Sequence, residues 1–408
     1  MANASIDGLV SGLDTTALVT QLMQLERQPQ VRLVQHRSAQ EAAVAAYRSI
    51  NTRLEALQTA AAGLTGPDGW ERRTVTTGSD AVSATVEPGA PLGTIAFDVV
   101  QVAAAHTVVH ATAVASPDTQ VTDGPTFTVT PDGGDPIELD AGNGSLAAVA
   151  AAVNAADAGV RAAVVQAGPG QYRLQLTSAA TGAASGFALD GLTVGGTSVL
   201  GPPLTLTEGR DAVLVVGAGS PGEYAITSPS NTVSALPGVT LTLHRPATGV
   251  GVDVRADDAA LADGVAALVD AANLVLDDIA RLTAYDVTAR AGGPLVGDRT
   301  VRALQEEVLR QVSGATDLTL AGAGIEVDRR GRLTFDRAAF LERVAEDPAA
   351  AAASVRDGLA PRLADVARGA LDSLTGSITT AIEGRKARIT DLGRQIEAWD
   401  QRLALREA

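Results

Sequence analysis

The sequence predicts a multidomain α+β protein: a helical, coiled-coil stalk drawn from both ends of the chain, with a β-rich head inserted between them. Three observations carry this reading. Apolar residues recur at four-three spacing towards both ends, which is the seam of an amphipathic helix. The middle of the chain turns to Thr, Val and Gly with period-two alternation, the mark of half-buried strands. The length of 408 residues is enough for two to four domains with cores of their own, at roughly 100–200 residues each.

Residues 1–16 hold Gly8, Gly12 and small polar side chains, and read as a loosely ordered leader. Leu18, Leu22 and Leu25 then step by four and three. Pro29 is expected to interrupt this helix, because proline lacks an amide donor and its ring clashes with the preceding turn. The seam resumes as Ala43, Tyr47, Ile50, Leu54, Leu57, Ala61 and Leu64 and stops at Gly66–Pro67. The expected division is a flexible leg over 1–42 and the first helix of the stalk domain over 43–72.

From Arg73 the texture changes, with alternating runs such as Ile95, Phe97, Val99 and the pair Phe127, Val129. The stretch from Thr126 reads as a hairpin followed by a helix that starts near Ser145 and presents Leu146, Val149 and Val153 on one face. A second hairpin follows, turning at Gly168–Pro169–Gly170. The order is that of a small ββαββ-like unit. Residues 121–204 are therefore expected as a small inserted domain, within a β-rich head of residues 73–120 and 205–257.

Helices return after Asp257, with Leu261, Val265, Leu268, Ala272, Val275, Ile279 and Leu282 in an unbroken series. Residues 258–377 are read as the rest of the stalk domain and 378–408 as a C-terminal coiled-coil leg. The leg's seam is Ile378, Ile382, Arg385, Ile389, Leu392, Ile396, Trp399 and Leu403, with Arg385 its one polar member. Gly384 and Gly393 each cost this helix about 1 kcal/mol relative to Ala, so it depends on partners. An ordinary bundle inside one chain remains open for the inner helices. At the extreme ends, packing between copies is expected. The candidate assembly seam is thus Leu18, Leu22, Leu25, Tyr47, Ile50, Leu54, Leu57, Leu64, Ile378, Ile382, Ile389, Leu392, Ile396, Trp399 and Leu403.

Composition narrows the function classes. The formal net charge is −16, and residues 73–257 carry 16 Asp and Glu against 6 Arg, a net −10 that leaves −6 for the two flanks. A nucleic-acid partner would need a basic footprint, so that class is disfavoured. There is no Cys for disulfides, thiol chemistry or thiolate-bound zinc. No run approaches the roughly 18 apolar residues of a membrane span. The opening MANASIDGLVSGLDTT lacks the basic and apolar regions of a secretory signal, so export would take another route.

Three patterns imitate chemistry. Gly217, Gly219 and Gly222 form a literal G-x-G-x-x-G after an apolar run, but Pro221 interrupts and EYAI continues as strand where a dinucleotide site needs a helix N-terminus. His106 and His110 are four apart in strand-like context, which separates them by about 13 Å, too far to share one ion. Asp132–Gly133–Gly134–Asp135 reads as a hairpin turn, since the ligand spacing of known calcium loops is missing. No catalytic, cofactor-binding or metal-binding residue is assigned.

Several blocks, taken in order, resemble a known family. GLVSGLDTTALVTQLMQLERQP (8–29) is similar to the N-terminus of flagellar filament caps, the hook-associated protein 2 family. Residues 126–186 resemble the small domain that recurs in flagellin and hook-associated proteins, through NAADAGVRAAVV and YRLQLTSAATG. The blocks at 211–243, 293–314 and 324–348 resemble the family's C-terminal half. Two positions depart from the pattern: Ala272 stands beside Asn273 where members usually have Tyr, and the chain stops at Ala408 where members usually continue. The resemblance implies a flagellin/hook-type inserted domain and a non-enzymatic protein without cofactors. It implies a homo-oligomeric ring at the distal tip of the bacterial flagellum, outside the cell, that prevents flagellin leakage and promotes flagellin polymerisation and motility. The implied partners are other copies, flagellin, the flagellar type III export apparatus and an export chaperone, with no cleavable signal peptide, nucleic acid or membrane insertion. A hook–filament junction protein, and an adhesin binding host glycans or mucin through the β head, stay open as alternatives.

Overall fold

The computed structural model describes residues 15–313 and 319–407. The leader expected over 1–16 lies outside them up to Asp14. The chain packs as two units, one from residues up to Arg72 together with those from Asp257 onward, the other from Arg73–Ala256.

The first unit opens with α1 (Thr15–Thr65), 51 residues and so about 77 Å long. Pro29 lies inside this helix, which corrects the expected interruption. Its ring is on the exposed face, so the penalty is confined to a lost amide bond and local bending, and packing of the long helix on the C-terminal helix holds the segment helical. After α1 the chain turns at Gly66 into the single turn α2 (Pro67–Trp70).

The second unit follows. Its strands are β1 (Arg73–Thr77), β2 (Val82–Val86), β3 (Gly93–Gln101), β4 (Ala105–His110), β5 (Thr126–Pro131) and β6 (Ile137–Asp140). Helix α3 (Leu146–Ala155) comes next, capped by Ser145, whose hydroxyl accepts from the Ala148 amide at 3.2 Å. Then come β7 (Val160–Gly168), β8 (Gln171–Thr181), β9 (Phe187–Asp190) and β10 (Pro203–Thr207). The unit closes with β11 (Ala212–Val216), β12 (Tyr224–Ser228), β13 (Thr232–Leu236), β14 (Val239–Leu243) and β15 (Ala247–Ala256).

Alternation sorts these strands into two cores. Phe97, Val99, Leu214, Val250, Val252 and Leu241 meet between a five-stranded sheet, order β1-β15-β3-β11-β12, and a three-stranded sheet, order β13-β14-β2. Phe127, Val129, Leu146, Val153, Leu174 and Leu176 form the other core, among the sheets β10-β4-β8-β7 and β6-β5-β9 with α3. The two hairpins read from sequence around α3 therefore belong to different sheets. The strand at Ala105–His110 joins this second core, through Val108. Entry and exit are adjacent each time: β1 pairs antiparallel with β15, Arg73 opposite Ala256, and Ala104 bridges Arg210.

The helical unit resumes with α4 (Asp258–Thr283), capped by Asp257 on the Ala260 amide at 2.9 Å. A small hairpin, β16 (Tyr285–Asp286) and β17 (Ala291–Gly292), leads to α5 (Arg299–Ser313). After α6 (Thr319–Gly322) come β18 (Ile325–Val327) and β19 (Leu333–Phe335). Then follow α7 (Arg337–Glu346), α8 (Pro348–Ser354), a π-helical turn (Val355–Leu359), α9 (Ala360–Leu371) and α10 (Ser377–Glu407). By length and hydropathy α4 could cross a bilayer, but its apolarity is that of a core helix: Leu268, Val275 and Ile279 are fully buried with Tyr47, Ile50 and Leu54 of α1.

Asn273 explains how a strand is fixed to that helix. Its amide donates to the Leu333 carbonyl and accepts from the Leu333 N–H, both at 2.9 Å and both buried. The neighbouring Ala272, where a Tyr was expected, is fully buried. Asn273→Ala strands two backbone groups away from water and should cost about 2–4 kcal/mol. Chemical denaturation followed by circular dichroism checks this, and a loss under about 1 kcal/mol would show that the Leu333 backbone finds other partners.

A candidate assembly surface

The two terminal helices lie antiparallel along each other, since Gln40 meets Arg385, Gln30 meets Asp400 and Glu26 meets Arg406. On α10 the four-three seam is the packed face. Ile378, Leu392, Ile396 and Leu403 are buried, while Ile382, Ile389 and Trp399 are half-buried. The residues of α10 expected to meet another copy are thus covered largely by α1 of the same chain.

On α1 the seam divides. Tyr47, Ile50, Leu54, Leu57 and Leu64 are buried in the helical core. Leu22 and Leu25 are 54 % and 69 % exposed. Leu18 belongs to the same helix, and its side chain lies outside the described ones. The line that α1 turns inward over this stretch is Met23, Glu26, Gln30, Leu33, Arg37 and Gln40, all half-buried. It joins the inner line through two successive steps of three, Arg37 to Gln40 to Ala43, which in heptad terms is a stammer. The long polar side chains cover the apolar seam of α10 with their methylenes while their heads pair at the edges.

Where the outer pair meets the body, three elements are clasped by one carboxylate. Asp298 caps α5 through Oδ1, which accepts the Thr300 amide at 2.9 Å. Its Oδ2 accepts the Tyr47 hydroxyl at 2.7 Å and Nη2 of Arg385 at 2.6 Å. The same guanidinium lies 5.3 Å from the Tyr47 ring centroid and donates through Nη1 to Gln40 at 3.0 Å. Burial pushes the Asp298 carboxyl up, but the bonds from Tyr47, Thr300 and Arg385, with the charge of Arg385, outweigh it and hold the group below the usual carboxylate range. Burial, and then the anionic partner, push the Tyr47 phenol up. Sequence reasoning met Arg385 as a misfit in an apolar seam and missed Asp298, which lies 87 residues away.

The three imitations of chemistry resolve as turns and strands. Gly217 to Gly222 form the β11–β12 connection, tightened by the Ser220 amide on the Gly217 carbonyl at 2.9 Å. His106 stacks edge-on against Phe187, and Nδ1 of the buried His110 bonds the Gly201 carbonyl at 3.1 Å. Asp132 to Asp135 turn β5 into β6, with the Gly134 amide on the Pro131 carbonyl. Among the described residues no three His, Asp or Glu side chains converge as metal ligands.

Comparison with known proteins gives a consistent result. Family models match residues 11–106, as the flagellar hook-associated protein 2 N-terminus, and 209–408, as its C-terminus. A third, the flagellin hook IN motif, matches 126–180. The flagellar hook-associated protein 2 of Escherichia coli K12 is 28 % identical over 432 residues, covering 99 % of this chain and 92 % of that protein. That of Salmonella typhimurium is 28 % identical over 386 residues, covering 86 % and 80 %. The crystal structure of the Escherichia coli flagellar cap protein FliD, domains D1-D2-D3, superposes with a TM-score of 0.68 at 26 % identity, over 84 % of this chain and 99 % of that one.

The clasp makes stability depend on pH. A carboxyl with a depressed pKa in the folded state stabilises above its ordinary value, near 3.9, and loses that contribution as pH falls through the folded value. Asp298→Asn should therefore cost about 2–4 kcal/mol at neutral pH, leaving Arg385 unpaired. Its deficit against wild type should shrink in acid, below the ordinary carboxylate pKa. Thermal melts across pH test this, and a deficit that is the same at every pH would remove the charge from the explanation.

Proposed function

The chain belongs to the flagellar hook-associated protein 2 family, and from that premise we propose that it caps the distal end of a bacterial flagellar filament. Several copies form a ring there, keep exported flagellin from diffusing away and let it fold into the growing lattice. The observation that carries this reading is the match of both family halves, in order, together with the likeness to a cap structure over 84 % of the chain. On this reading the protein leaves the cell unfolded through the flagellar type III export apparatus, after an export chaperone has held it. It then acts by steric enclosure rather than by chemistry. The junction alternative loses support, because both matched halves are those of hook-associated protein 2, and the adhesin alternative rests on no feature of the β unit.

The outer helix pair supplies the contacts between copies, and Leu22 and Leu25 are the seam residues best placed for it. They are apolar, at four-three spacing with Leu18, and left open by their own chain. Burying two leucines against a neighbour is worth roughly 1.5–3 kcal/mol each.

Three measurements follow from this surface. A strain lacking the gene should be non-motile and release flagellin monomer into the medium, and immunogold labelling should find the protein at filament tips. The double variant Leu22→Asp/Leu25→Asp should melt like wild type as a monomer, because both side chains face water, yet fail to restore motility. Leu392→Asp, whose side chain is 2 % exposed, should instead destabilise the monomer itself, by about 3 kcal/mol or more. Full-length filaments in the deletion strain would sink the cap; motile Leu22→Asp/Leu25→Asp cells would sink only the leucine surface.

A further inference from the structure

The leucine surface on α1 is not the only place where the helical unit is prepared for a second copy. Between α9 and α10 the chain makes a tight turn that presents Leu374 at 88 % exposure, the highest of the large apolar side chains among the described residues. The turn is rigid by construction. Asp372 Oδ1 accepts from the Leu374 amide at 3.0 Å, from the Thr375 amide at 2.7 Å and from the Thr375 hydroxyl at 2.8 Å. The Gly376 amide bonds the Asp372 carbonyl at 3.0 Å, and a Cβ on Gly376 would stand 2.4 Å from that same oxygen. An apolar side chain carried on a pre-ordered turn binds without the cost of ordering the backbone beneath it.

Beside the turn, α5 and α9 enclose a groove of about 720 Å³. Its floor is apolar, with Leu304, Ala303, Val366 and Ala370, and Gly369 leaves it open: a Cβ built there meets no atom within 4 Å. On its rim Glu307 is paired with Arg310, and Asp365 with Arg368. Arg362 is left without an ion-pair partner among the described residues. The turn carries the opposite charge in the Asp372 carboxylate, which hydrogen bonds from Thr375 and Leu374 hold below the usual carboxylate range.

We infer that Leu374 of one copy seats in the α5–α9 groove of a second copy, with Arg362 facing the acidic turn. The turn connects Ala370 to Ser377, which both line the groove, so knob and groove lie side by side on one face. That placement favours a reciprocal contact across a two-fold axis, in which each copy gives a leucine and receives one. A contact this small belongs to the weak, transient class. Because a two-fold contact pairs copies in opposite orientation, it joins free copies outside the ring and is separate from the leucine surface on α1.

The chain has no cysteine, so crosslinking can be placed at will. Leu374→Cys and Gly369→Cys variants, both at exposed positions, are first shown to melt like wild type. Mixed under mild oxidation, they should form a heterodimeric disulfide about tenfold faster than either forms with Leu405→Cys, an exposed control on α10. Adding Arg362→Glu to the Gly369→Cys partner should slow the reaction, and so should high salt. The inference is overturned if the mixture crosslinks no faster than the control. It is equally overturned if Leu374→Cys alone dimerises as fast as the mixture, since the turn would then meet its own image and not the groove. Neither result touches the cap, which is tested by filament growth.

Discussion

The helical unit depends on covering one face of one helix. Tyr47, Ile50, Leu54, Leu57 and Leu64 of α1 are buried only because α4, α9 and α10 lie over them, and all of those helices come after Asp257 in the chain. At roughly 25 cal/mol per Å² of apolar surface, this burial is the main source of stability the unit has. Until the end of the chain is present, α1 is an amphipathic helix with nothing to bury its stripe on. A contact between the first and last elements makes the unit cooperative, because neither end is stable until the other has been made.

Within that arrangement the polar clasp does what an apolar seam cannot. Apolar side chains in a four-three line tolerate sliding by a heptad, because the next leucine fills much the same hole. Asp298, Tyr47, Arg385 and Gln40 are satisfied together in a single alignment, and a slipped α10 would leave a carboxylate and a guanidinium partly buried without partners. The clasp stands where the outer pair leaves the body, so it fixes the register of the thirty-one-residue α10 from its inner end.

The helical parts were the most legible in the sequence. The heptads of α10 and of residues 43–64 lie on the faces that pack, because a long apolar stripe, broken in α10 only by Arg385, has one way to be buried. The outer part of α1 misled for a physical reason: Leu18, Leu22 and Leu25 make the more apolar line, yet the line turned to α10 is Met23, Glu26, Gln30 and Leu33. Local periodicity cannot report which face a distant helix occupies. The same limit hid Asp298 from Arg385 and Leu333 from Asn273, and it put the strand at Ala105–His110 with the outer head of residues 73–120, whereas its pairing with β8 carries it into the second core, because its alternation suits either. Pro29 was overread, since an exposed proline in a long packed helix bends it without ending it.

The β unit enters through β1 and leaves through β15, which are neighbours in register, and the helical ends that flank it are already tied by the Asp257 amide on the Arg72 carbonyl at 3.1 Å. The pattern repeats one level down, where Ala104 bridges Arg210 around the second core. Each inserted piece is therefore a cassette whose two ends sit at one doorway. Evolution can lengthen, trim or exchange such a cassette without moving the frame that carries it. A lineage could in this way change the size and surface of its β unit while the helical frame, with its own core and its own register, is inherited unchanged.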